Sequence, residues 1–190
     1  MKNKIAKVFG KENLEHIENI TYSQIHVADL TRRTKSKQAI EIYDAQPEGI
    51  DTLVIENPGL DITATFFKPQ CFLDERGKEP DNCEGVFYLS DPAGETWILF
   101  LEIKDCKSTN ISTYFTQAKE QIKKVVQIFR DKKIIANDKC VYANISFPRK
   151  KTDFYSHLIK PGESKEWRDC YRIFIRGTNN LKIKNRMTIK

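Results

Sequence analysis

Glu84, Glu102 and Lys104 are the residues whose types and spacing point to chemistry. They sit on two runs rich in aromatic and β-branched residues, 83–89 and 96–103, separated by the turn formers Ser90-Asp91-Pro92-Ala93-Gly94. If the runs fold symmetrically about Ala93, Glu84 comes to lie opposite Glu102. Lys104, two residues further on, shares the face of Glu102. Two carboxylates and an ammonium would then meet at one end of a hairpin. Such a group can bind a cation through its carboxylates and offset negative charge through its ammonium. Two close carboxylates repel, so without a cation one of them should hold a proton more tightly than an ordinary carboxylate does.

The hairpin register also sorts the remaining residues. Val86, Tyr88, Ile98 and Phe100 fall on one face, and Phe87, Leu89, Leu99, Leu101 and Trp97 on the other. Both faces are apolar, which describes a central strand pair covered on both sides. Charges at the end of such strands need partners, a metal ion or water. After a polar connection at 105–110, with Ser108, Thr109 or Asn110 available as N-cap, a helix is expected over 111–130. Ile111, Tyr114, Phe115, Ala118, Ile122, Val125, Val126 and Phe129 form its apolar stripe. Gln121 lies on the shoulder of that stripe, with Gln117 and Lys124 further out. Residues 139–147 read as a strand stopped by Pro148. Strand, helix and strand in this order imply a crossover and a parallel pair, which makes the sheet mixed.

An acidic residue on one strand, Glu-Ile-Lys at 102–104 on the next, a following helix with a glutamine, and Pro80-Asp81 just before the first strand resemble the PD-(D/E)XK nuclease superfamily. The resemblance covers about residues 61–147. It implies a restriction-endonuclease-like core in an α/β (α+β mixed-sheet) fold, with a central mixed β-sheet flanked by helices. It also implies a Mg2+-dependent nuclease acting on DNA, with Mn2+ as a substitute metal. Glu84, Glu102 and the Ile103 carbonyl oxygen would hold the metal, Lys104 would act on the attacking water and the developing charge, and Gln121 (Gln117 second) would support them. The sequence departs from the family pattern in having Glu84 where Asp is usual. Asp81 is the alternative ligand, although alternation from Glu84 puts it on the opposite face unless the strand begins later. A catalytically inactive member of the same fold, binding nucleic acid or another protein, is the alternative function. A third reading makes the apolar hairpin the support of an oligomer, a homodimer in the simplest case.

Composition sets the frame. The 190 residues, 39% hydrophobic and 11% aromatic, are expected to form a single domain over 1–190. Its nuclease-like core would span 52–148, followed by a basic C-terminal extension at 149–190. No apolar run approaches the roughly 20 residues that span a bilayer, and the N-terminus lacks a signal-peptide core, so no membrane role is expected. Five dispersed cysteines without a CxxC pair fit free thiols in a reducing cytoplasm. From Lys139 onward 13 Lys or Arg stand against 4 Asp or Glu, while the preceding residues hold the other 19 and 22. A basic final third beside an acidic motif is expected of a phosphate-binding surface. Arg149, Lys150, Lys151, Gln117 and Lys124 are its candidate contacts. His16, His26 and His157 show no metal spacing. Over 1–50, Leu14, Ile17, Ile20 and Ile25 read as helical turns and 39–43 as a strand. Strands are expected at 52–56 and 62–67, and a last hairpin pairs 171–175 with 181–183 about Gly177-Thr178-Asn179-Asn180.

Overall fold

A computed structural model of the chain describes residues 1–34, 39–72, 83–91, 93–151 and 158–190. The fold is α+β with two mixed sheets. Its elements are α1 (Lys2–Phe9), β1 (Leu14–Ile20), β2 (Gln24–Asp29), α2 (Thr31–Thr34), β3 (Ile40–Tyr43), β4 (Leu53–Glu56) and β5 (Ile62–Phe67). Then follow β6 (Gly85–Leu89), β7 (Ile98–Ile103), α3 (Ile111–Asp131), β8 (Val141–Ser146), α4 (Pro161–Tyr171), β9 (Ile173–Gly177) and β10 (Asn180–Lys182). Six strands form one sheet in the order β1-β5-β6-β7-β8-β9, and four form the second as β10-β4-β2-β3. The larger sheet runs antiparallel from β1 to β7 and parallel from β7 through β9.

Alternation along β6 and β7 divides the interior in two. Val86, Tyr88, Ile98 and Phe100 join a core with α1 and α3, in which Phe129 meets Phe9, Phe67 and Phe100 at centroid distances of 5.8, 6.0 and 5.1 Å. Phe87, Leu89, Leu99, Leu101 and Trp97 join the other core, against Ile25, Val27, Leu53, Ile55 and Leu181 of the second sheet. Helices therefore cover one face of the central sheet and a second sheet covers the other. The hairpin register is the one expected from the sequence, with Gly85 opposite Leu101 and Tyr88 opposite Ile98. The parallel β7–β8 pair joined through α3 also agrees with expectation. Asn110 caps α3 without a side-chain hydrogen bond.

Two expectations fail. Leu14, Ile17 and Ile20 lie on strand β1 and Ile25 on β2, not on helical turns. The spacing of three misleads because β1 carries a register shift between Ile17 and Ile20, where Asn19 takes a left-handed φ of 56°. The extra residue resets alternation and returns Ile20 to the core. Nor do the last strands form a hairpin. β9 pairs parallel with β8, whereas β10 leaves for the other sheet and pairs parallel with β4. Helix α4, whose only buried residue is Trp167, precedes β9. The larger sheet thus draws on β1 and β9, both outside residues 52–148. All five cysteines are free thiols. Among the described residues, no helix is long and apolar enough to cross a membrane.

Candidate active site

The site is built at the end of the β6–β7 ladder. Continuing its register by one pair sets Glu84 against Glu102, and the Glu84 backbone N–H donates to Glu102 Oε2 at 3.1 Å. On the other side of Glu84, its carbonyl accepts from the Phe67 N–H at 3.1 Å, so β5 also fixes its backbone. The next residue must be glycine, since a Cβ on Gly85 would lie 2.5 Å from the Thr65 carbonyl oxygen and 2.7 Å from the Phe66 ring. The missing side chain lets β5 approach and hold Glu84 in place.

Lys104 follows β7, and its N–H donates to the Ser146 carbonyl at 3.0 Å, which anchors it to β8. Its Nζ lies 2.9 Å from Glu84 Oε1 and 2.9 Å from Glu102 Oε1. Glu102 is fully buried and Glu84 nearly so, while the Lys104 side chain keeps 28% of its surface exposed. The lysine is therefore the member that meets solvent. Burial pushes the Glu102 carboxyl up to about 8; Lys104 opposes the rise and Glu84 adds to it. Burial works against the Lys104 ammonium, but the Glu102 and Glu84 carboxylates outweigh that and hold its pKa well above the ordinary lysine value. The stable picture is a fixed positive charge between two carboxyl groups, of which Glu102 carries a raised proton affinity. Beside them, Cys83 is wholly buried, and burial followed by the charges of Glu102 and Glu84 pushes its thiol well up.

The other candidates are placed less closely. Ile103 ends β7 with its side chain in the opposite core. Gln121 lies on α3, and its Oε1 is buried without a hydrogen-bond partner among the described residues. Gln117 and Lys124 are exposed on α3. Asp81 lies outside the described residues. In the basic loop, Arg149 Nε is 3.4 Å from Asp105 Oδ1 and Lys151 is paired with Asp51. Asp105 directly follows Lys104, and its N–H donates to Asp29 Oδ2 at 3.0 Å, so this loop and the second sheet are both tied to the end of β7. Lys150 and Lys151 line a cleft of about 800 Å³ together with residues 46–52 and 177–180.

The sequence reading passed over the buried amides at the end of β8. Asn144 is fully buried and exchanges hydrogen bonds with the backbone of Thr178, at 3.0 and 3.2 Å. The Asn179 side chain accepts from Ser146 Oγ and the Phe147 N–H and donates to the carbonyls of Phe147 and Lys150. The polar alternation of Tyr142, Asn144 and Ser146 in 139–147 was the available signal. His16 bonds Thr65 at 2.8 Å and His26 bonds Thr52 at 3.0 Å, which are structural roles.

No family model, curated protein or solved structure matches the chain. Among the described residues, no group of three or more His, Cys, Asp or Glu is placed to hold a metal ion. A cation here would rest on two carboxylates, main-chain oxygen and water. That sparse oxygen set is one Mg2+ accepts, and the raised proton affinity of Glu102 marks a place where positive charge is favoured.

Proposed function

We propose that the protein is a metal-dependent nuclease of the PD-(D/E)XK type acting on DNA, with Mg2+ as its cofactor. One observation carries the reading: two carboxylates from adjacent strands and one ammonium, 2.9 Å from each, meet at the end of a buried hairpin. Glu84 and Glu102 would hold the cation, with the Ile103 carbonyl oxygen as a third donor. A bound Mg2+ supplies charge neutralisation at the phosphoryl oxygens and at the leaving group. Lys104, the solvent-facing member, orients the attacking water and offsets charge as the scissile bond breaks. The unsatisfied Gln121 Oε1 is an acceptor available for that lysine, the water or a partner donor. Arg149, Lys150 and Lys151 give the nearby loop its positive potential for the phosphate backbone.

The test is plasmid nicking in Mg2+ or Mn2+, with Mn2+ titration calorimetry beside it. Glu102→Gln should lose metal affinity and cleavage together. Lys104→Ala should keep measurable metal binding and lose cleavage by orders of magnitude. Full activity in Glu102→Gln would sink the nuclease reading. A second reading, a nucleic-acid-binding member without catalysis, is favoured by Lys104 already bridging both carboxylates as a closed ion triad. Mg2+ that shifts neither the wild-type melt nor the calorimetric baseline would select it.

A further inference from the structure

Phe174 is one of only three large hydrophobic side chains exposed among the described residues, with 37% of its surface accessible. It lies on β9, the last strand of the six-stranded sheet. Alternation sends Ile173 and Ile175 into the helix-side core and gives Phe174 and Arg176 the other face. The ring is not loose. It stacks on its register partner Tyr142 of β8, with centroids 5.4 Å apart and planes at 29°. Tyr142 is itself held by its hydroxyl, which donates to the Met187 carbonyl at 3.4 Å. A flat aromatic surface, backed on one side and open on the other, is therefore presented at the sheet edge.

Beside it runs a cleft of about 370 Å³ whose lining includes Arg168, Phe174, Arg176, Thr178, Asn180 and Lys190 and, among the described residues, no Asp or Glu. The acid that pairs with Arg168, Asp169 at 2.9 Å, does not line the cleft. Arg176 donates through one terminal nitrogen to the Ile189 carbonyl at 3.2 Å, while its Nε is buried and meets no acceptor among the described residues. The rest of the guanidinium belongs to a residue that lines the cleft and is only half-buried, so its charge is available there. The cleft shares Gly177, Thr178 and Asn180 with the larger one that holds Lys150 and Lys151. The two clefts thus adjoin, with Lys150, Arg168, Arg176 and Lys190 among their lining beside Glu48 and the Lys151–Asp51 pair of the larger one.

We propose that this cleft takes one unpaired nucleotide, its base stacked on Phe174 and its phosphate at Arg176. This rests on the nucleic-acid reading above and names the form of nucleic acid that this cleft accepts. Phe174 and Arg176 stand two residues apart on one strand face, about 6.6 Å, so ring and guanidinium address neighbouring parts of one ligand. An aromatic platform beside cations is the recognition chemistry of single strands, and stacking there tolerates any base. Inside a duplex each base is already stacked on both faces, so the platform serves only a base that has left the helix.

The experiment is fluorescence anisotropy of a labelled oligothymidylate and a hairpin duplex of equal length, in EDTA, across a salt series. EDTA removes cleavage from the measurement, so the subsite and the nuclease chemistry are read separately. Phe174→Ala should weaken single-strand binding about tenfold, leave duplex binding within about twofold, and keep its salt slope. Phe174→Tyr should restore the affinity. Arg176→Gln should lower the single-strand salt slope by about 0.7. Both side chains are at least partly exposed, and thermal melts confirm that the variants fold. Single-strand binding indifferent to Phe174→Ala overturns the subsite, as does equal weakening for the duplex, and either leaves the nuclease reading standing. Absence of binding to both oligonucleotides at low salt overturns the subsite together with the nucleic-acid reading.

Discussion

At the carboxyl ends of two neighbouring strands, β7 and β8, buried polar groups lie on opposite faces of one sheet and meet opposite fates. On one face, Asn144, Ser146 and Asn179 are neutral, and the Asn179 amide uses both donors and accepts twice. That cluster is complete within the protein, and its effect is to lock the Thr178–Asn179 turn onto β8. On the other face, with both carboxyl groups ionised, Glu84, Glu102 and Lys104 bring two negative charges to one positive. That cluster is complete in geometry but not in charge. A neutral network can close on itself, whereas a charged one with an odd member leaves a standing demand for a proton or a cation.

The sharpest way to break this contrast is Lys104→Ala. It removes the cation that bridges the two carboxylates and should cost about 3 kcal/mol, less than a fully buried pair because the lysine is part exposed. Mg2+ should recover much of the loss in a thermal melt. A variant as stable as wild type, indifferent to Mg2+, would show that the triad carries no charge imbalance. Asn179→Ala strikes the closed cluster instead, removing the amide that makes four hydrogen bonds to Ser146, Phe147 and Lys150, and should cost about 2 kcal/mol in urea unfolding. No concentration of Mg2+ should restore it. Should cation restore it, the two clusters would not differ in kind.

The third test is a pH dependence. The folded-state pKa of Glu102 lies above its ordinary value of 4.5, at about 8. Its protonation therefore contributes stability that is whole below about pH 4.5 and is lost as pH rises through about 8. Glu102→Gln keeps the shape without the charge. It should match wild type near pH 4.5 and melt above it at pH 8.5. Parallel stability curves across that range would remove burial of an ionised Glu102 from the account.

How much of this was written in the chain varied by region, for physical reasons. The β6–β7 register and its two apolar faces were legible because turn formers fix the midpoint and side-chain period fixes the rest. Helix α3 was legible because a stripe that long admits one period only. The meeting of Glu84, Glu102 and Lys104 followed from the same register. In β1 the bulge at Asn19 disguised a strand as helical spacing, and no local rule announces a bulge in advance. The fate of β10 was hidden for a different cause. Asn144 and Ser146 take hold of Thr178 and Asn179 from another strand, and that tertiary contact turns the chain away from a hairpin that its composition favours. Closeness of Gln121 to the triad, which the family resemblance implies, finds no hydrogen bond at its Oε1 among the described residues.

The parallel pairing of β10 with β4 has a consequence in time. Lys182 meets Glu56 across 126 residues of chain. At about 5–20 residues per second of synthesis, β4 waits roughly 6–25 s after it is made before its outer neighbour exists. Through that interval the second sheet has β2 and β3 but an open edge at β4, and the apolar residues that β10 will cover face the growing chain or the ribosome surface. The strand that closes the sheet is made long after the one it covers, so a chain released before residue 180 is left with a sticky edge and no strand to cap it.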